Sequence, residues 1–153
     1  MIKKADINNV KNIHKLLTQF GTKGELLPRP LSELYDHLRD FFIYTDESSN
    51  NKTIKGCCAL QICWENIAEV RSLAVLPEFQ GEKIGSKLVM AAINNARSLE
   101  IKKVFTLTYK PEFFKNFGFN IISKKELPLK IWGECIHCVK FPDCDETAMI
   151  KRL

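Results

Sequence analysis

Residues 69–99 hold the pattern best suited to chemistry. An apolar strand, residues 70–76, reaches Pro77, passes a short glycine-containing loop and opens into an amphipathic helix. Such a junction exposes backbone N–H groups at a helix N-terminus, where the helix dipole also favours negative charge. It is a seat for a diphosphate. The loop reads Gln80-Gly81-Glu82-Lys83-Ile84-Gly85-Ser86, and Lys83 and Lys87 add positive charge beside it. Neither Gly-x-Gly-x-x-Gly nor Gly-Lys-Ser/Thr occurs, which argues against dinucleotides and nucleoside triphosphates. The competing reading is an ordinary strand–turn–helix.

The elements around this loop are legible from periodicity and punctuation. Residues 2–5 read as a first strand, and Asp6 as the N-cap of a helix with Ile7, Val10, Ile13, His14 and Leu17 at helical spacing. Gly21 and Gly24 are expected to close it. Two prolines hold Arg29 in an extended stretch, and Ser32 is expected to cap a helix over 33–40. Strands follow at 41–45, 53–63 and 67–76, the first two separated by a polar turn. Next come a helix at 85–99, a strand at 103–108 and a short helix from Pro111 to Gly118. Strands at 119–123 and 148–152 complete the chain.

The 153 residues fit one domain, 1–153, able to bury about two-thirds of its unfolded surface. The first residues lack the long apolar core of a signal peptide, and no apolar run approaches the ~20 residues of a membrane helix. No membrane association and a cytoplasmic location are therefore expected. A net charge of +5, from 23 basic and 18 acidic residues, suits an anionic ligand. Nucleic acid is the weaker explanation, because the basic residues are scattered rather than gathered in one recognition helix.

The loop resembles the acetyl-CoA-binding motif of the Gcn5-related N-acetyltransferase (GNAT) superfamily, Gln/Arg-x-x-Gly-x-Gly/Ala after a strand ending in Leu-Ala-Val. Here Lys83 stands at the first glycine position. The element order is also similar, and the resemblance covers nearly the whole chain. It implies an α/β (α+β) GNAT fold: a mixed, mostly antiparallel sheet splayed at its centre, with helices on both faces. It further implies acetyl-CoA as cosubstrate. Main-chain groups of Leu73, Ala74 and Val75 would meet the pantetheine arm, and the loop Gln80, Gly81, Glu82, Lys83, Ile84, Gly85 and Ser86 the diphosphate. A homodimer is a further possibility, since GNAT enzymes commonly form them.

Acetyl transfer to an amine needs that amine neutral, so a base must take its proton. Glu69 matches the catalytic glutamate of histone-type GNAT members; a salt bridge to Arg71 is its alternative. Phe114 stands where many GNAT enzymes place a proton-donating tyrosine. The departing thiolate then relies on water, on backbone N–H groups, or on Tyr109 from the end of the preceding strand. Tyr109 can equally be a half-buried strand-end aromatic with a wet hydroxyl.

Residues 105–109, Phe113-Phe114, Phe117-Gly118-Phe119, Leu27-Pro28-Arg29-Pro30 and Glu69-Val70-Arg71-Ser72 resemble the acetyltransferase domain of N-acetylglutamate synthase. The tail Cys-x-x-Cys-x-Lys-Phe-Pro-Asp-Cys-Asp-Glu is similar to that of short ArgA-like acetyltransferases. That likeness implies a small-molecule amine, an amino acid such as glutamate, as acceptor. Guanidinium forks match carboxylates, so Arg29 and Arg71 are candidate clamps, with Lys130 a weaker third. Strand alternation puts Arg71 on the face of Glu69 and turns Ser72 away, so Ser72 is assigned no chemistry. Acetylation of a protein amine and a non-catalytic coenzyme-A-binding module are the rival functions.

Six cysteines fall in two groups. Cys57, Cys58 and Cys63 lie in an apolar strand and read as buried free thiols. Cys135, Cys138 and Cys144, near His137 and Asp145, contain one zinc half-site, for which free thiols or a reversible disulfide are the alternatives. Zinc is not favoured.

Overall fold

A computed structural model describes residues 1–22, 29–46, 53–127 and 146–153. Seven strands form one mixed sheet: β1 (Ile2–Lys4), β2 (Phe41–Thr45), β3 (Ile54–Trp64), β4 (Ile67–Val75), β5 (Lys103–Thr108), β6 (Asn120–Ile121) and β7 (Thr147–Arg152). Their order is β1-β2-β3-β4-β5-β7-β6. The helices are α1 (Val10–Thr22), α2 (Leu31–Asp36), α3 (Ile84–Ser98) and α4 (Pro111–Lys115). Strand β4 runs parallel to β5 in the register Ile67↔Lys103 to Glu69↔Phe105, whereas β1–β2, β2–β3, β5–β7 and β6–β7 are antiparallel. The parallel register ends at Glu69, and β4 runs on to Val75. No helix of the described residues is long and apolar enough to cross a membrane.

The chain divides into two compact units. The first comprises Met1–Gln61 and Val70–Asn95. There Asp6 accepts a hydrogen bond from Asn8 N–H and, with Asn9, forms a capping box on a 3-10 turn that leads into α1. Val10, Ile13, Leu16, Leu17 and Phe20 then pack on Leu34, Phe41, Ile43 and Cys57. Gly56 lets the start of α3 approach β3: a Cβ there would lie 3.0 Å from Leu88 Cδ1 and 3.2 Å from Ile84 Cγ2. The second unit, Ile62–Glu69 and Ala96–Leu153, gathers Cys63, Ile67, Phe105, Leu127 and Ala148 into its own core.

Several boundaries differ from the sequence reading. Ile7 is 61% exposed because it sits in the 3-10 turn before α1, and Leu16 and Phe20 complete the buried stripe. The second helix starts at Leu31 with Pro30 at its N-cap and ends at Asp36, so Ser32 lies inside it; residues 38–40 form a separate 3-10 turn. Helix α1 includes Gly21, while Gly24 lies outside the described residues. The strand expected at 119–123 shrinks to Asn120–Ile121, because Ser123 and Glu126 form a capping box on the next turn. Helix α3 ends in a Schellman arrangement: Ile101 N–H donates to Ala96 C=O, Glu100 N–H donates to Arg97 C=O, and Glu100 takes φ +61.

Candidate active site

Strand β4 ends where Leu76 N–H donates to Lys55 C=O at 2.8 Å. A 3-10 turn at Pro77–Phe79 follows, and Gln80 Nε2 donates back to Val75 C=O at 3.1 Å, closing the turn over the strand end. Gly81 has φ +93, and a Cβ there would meet nothing within 4 Å, so backbone conformation alone calls for glycine. Lys83 also adopts a left-handed φ, +62. The turn that the family pattern assigns to glycine is therefore retained, at a cost of about 1–2 kcal/mol for a residue with a side chain. Lys83 C=O accepts the N–H of Lys87 at 3.1 Å, the first intrahelical bond of α3. The N–H groups of Ile84, Gly85 and Ser86 precede that bond and have no partner within the helix. These donors and the helix dipole suit a diphosphate.

Behind the loop, the β4 backbone is turned partly toward β3. Cys57 Sγ donates to Ser72 C=O at 3.4 Å, and the Ala74 backbone also bonds to the Cys57 thiol. Cys57 is fully buried; burial pushes its thiol up to about 12, despite the opposing pull of Arg29 and of the Ala74 N–H. Burial also raises Cys58.

The first unit also holds both arginines. Arg29 is only 5% exposed. Its Nε donates to Glu33 Oε1 at 3.0 Å and its Nη1 to Ser72 Oγ at 3.0 Å. Nη2 lies 2.9 Å from Glu33 Oε1 but out of line for a hydrogen bond, which leaves a buried nitrogen with no hydrogen-bond partner. Desolvation lowers the Arg29 pKa most and the charge of Arg71 lowers it further, against the pull of Glu33 and Asp40. Arg71 Nη1 donates to Gln61 Oε1 at 3.0 Å. Two like charges thus sit within electrostatic reach of each other, one of them largely dehydrated. That arrangement suits an anion with more than one carboxylate oxygen to share.

In the second unit, Glu69 is 7% exposed on β4, and its backbone pairs with Phe105. Tyr109 follows β5 and is 37% exposed. Phe114 is buried on α4, edge-on to Phe113 at 5.1 Å and to Phe119 at 5.3 Å. It is core, as its lack of a hydroxyl requires.

Sequence reasoning missed Ser72. It takes φ +56 in mid-strand, and its hydroxyl meets Arg29. No residue type signalled this, because serine has no special tolerance for that conformation. Gln61 and Glu33 were missed too, though the spacing of Arg29 and Glu33 is that of an ion pair one helical turn apart. Lys130, Cys135, Cys138 and Cys144 lie outside the described residues. Among the described residues, no group of three or more histidine, cysteine or carboxylate side chains could hold a metal ion.

Known proteins resemble this chain in sequence and fold. Residues 37–121 fit the family model of the acetyltransferase (GNAT) domain. An uncharacterised N-acetyltransferase of Chlorobaculum tepidum is 35% identical over 152 residues, covering 99% of this chain and 96% of its own. An amino-acid acetyltransferase of Mycobacterium tuberculosis is 30% identical over 134 residues, 88% of this chain and 76% of that protein. Among solved structures, N-acetylglutamate synthase from Neisseria gonorrhoeae complexed with coenzyme A and N-acetyl-glutamate superposes with a TM-score of 0.86 at 25% identity. That match covers all of this chain and 35% of the gonococcal one. This chain belongs to the GNAT acetyltransferase family, a class of acyl-CoA-dependent N-acetyltransferases.

Proposed function

We propose that the chain moves an acetyl group from acetyl-CoA to the α-amine of a small acidic amino acid, with glutamate the leading candidate. The observation that carries this reading is Arg29, a buried guanidinium with one unbonded nitrogen and a second arginine nearby. Burying a cation without a full set of partners is costly, and an incoming carboxylate relieves that cost. A neutral or cationic acceptor would leave it standing. The relatives named for amino-acid acetylation support the same class of acceptor.

The residues present fit acetyl-CoA. The N–H groups of Ile84, Gly85 and Ser86, with the left-handed turn at Gly81 and Lys83, would hold its diphosphate, and Leu73 would pair with the pantetheine amides. Acetyl-CoA supplies the thioester acyl carbon. Glu69 takes the proton from the acceptor ammonium, directly or through one water, so that the free amine can attack. Tyr109, or water in its place, gives a proton to the departing thiolate. Arg29 and Arg71 hold the acceptor's carboxylates, which fixes the amine in position.

Thiol release from acetyl-CoA with a panel of amino acids tests the reading. Glutamate should be acetylated, Arg71→Ala should raise its KM, and Glu69→Gln should lower kcat by about 10²–10⁴. No glutamate turnover at millimolar concentration, beside ready acetylation of a neutral or cationic amine, refutes it.

A further inference from the structure

We propose that Ser72 is the positioning residue for Arg29: its hydroxyl, held by a strained left-handed backbone in β4, fixes the guanidinium in the orientation that meets the acceptor carboxylate. The proposal rests on the reading above and adds the device that makes Arg29 specific. A residue with a side chain at φ +56 inside a strand is strained, and such strain persists only where the surroundings impose it. Here the turned peptide is tied on both sides. Its carbonyl accepts the Cys57 thiol at 3.4 Å, and its hydroxyl accepts Arg29 Nη1 at 3.0 Å.

The chemistry of the anchor matters as much as its place. A hydroxyl fixes one arm of the fork without neutralising it, so the positive charge stays available to a ligand. Arg71 Nη1 also donates to a neutral acceptor, the amide oxygen of Gln61. Glu33 is the anionic contact on Arg29, and its side chain is 36% exposed where that of Arg29 is 2%. Water therefore screens Glu33 far more than it screens the guanidinium. With Nε on Glu33 and Nη1 on Ser72, rotation about Nε–Cζ is blocked, and Nη2 stays beside Glu33 Oε1 at 2.9 Å.

Ser72→Gly separates the anchor from the strain, because glycine adopts the same φ freely and has no hydroxyl. In protein labelled with 15N-arginine, the wild-type guanidinium of Arg29, assigned by its loss in Arg29→Lys, should show separate Nη1 and Nη2 resonances. In Ser72→Gly they should merge as rotation is freed. With L-glutamate as acceptor, KM should rise by about 10-fold, the loss of one charge-assisted hydrogen bond, while kcat stays within about 3-fold. Separate Nη resonances in Ser72→Gly overturn the proposal. So does an unchanged KM in Ser72→Gly where Arg29→Ala raises it. If the wild type does not acetylate glutamate, the acceptor assignment fails, and the resonance comparison still decides the role of Ser72.

Discussion

Lys83→Gly should make the protein more stable and its coenzyme affinity weaker. Lys83 holds φ +62 at the N-terminus of α3, where a Cβ costs about 1–2 kcal/mol. Glycine removes that cost but gives the unfolded chain about 0.4–1 kcal/mol more entropy to lose. The balance is a gain of about 0–1.6 kcal/mol, or up to roughly 6 °C in melting temperature for a chain of this size. The same change deletes an exposed cation beside the proposed diphosphate seat, which should weaken coenzyme A binding by about 2–5-fold. Two controls separate the terms. Lys83→Ala keeps the strain and loses the charge, so affinity should fall with no gain in stability. Glu100→Gly relieves the same strain at the far end of α3, φ +61, so stability should rise with affinity unchanged. Thermal denaturation and isothermal titration with coenzyme A supply both numbers. A lower melting temperature for Lys83→Gly, or an equal rise for Lys83→Ala, would refute the strain argument.

Gly56→Ala should destabilise by about 1–3 kcal/mol, because the added methyl meets Ala74 O and Leu88 Cδ1 at 3.0 Å; urea denaturation reads this, and a neutral result would mean α3 has room to move. Cys57 and Cys58 should resist iodoacetamide at pH 8 in the native protein and react once it is unfolded, since burial holds both thiols protonated; rapid native labelling at either position would contradict that. Asp40 has its pKa raised above 3.8, chiefly by burial and against the pull of His37, Arg29 and Lys4. The folded state thus binds its proton more tightly than the unfolded chain, so stability falls as pH rises from 3.8 through the raised value. Asp40→Asn should accordingly be more stable than wild type at pH 7, with the advantage vanishing below pH 3.8. A lower urea midpoint at pH 7 would show that the His37 contact outweighs burial.

The sequence by itself determined what depends on local chemistry. Apolar runs bounded by turn residues marked β2, β3, β4 and β5 to within a residue or two, and Asp6 signalled the entry to α1, since local composition and capping act over a few neighbours. The loop from Gln80 to Ser86 was legible for the same reason: a strand end, two glycines and a helix start lie within a dozen residues. Only the tertiary structure decided where chain segments far apart in sequence meet. It put Ser72 in a left-handed conformation and set its hydroxyl against Arg29, 43 residues away, and it brought Gln61 to Arg71. It also exposed Ile7 and moved the start of α2 to Leu31, where Pro30 rather than Ser32 occupies the cap. A spacing rule describes one regular element. It has no term for a strained peptide that a distant guanidinium and a neighbouring thiol hold in place.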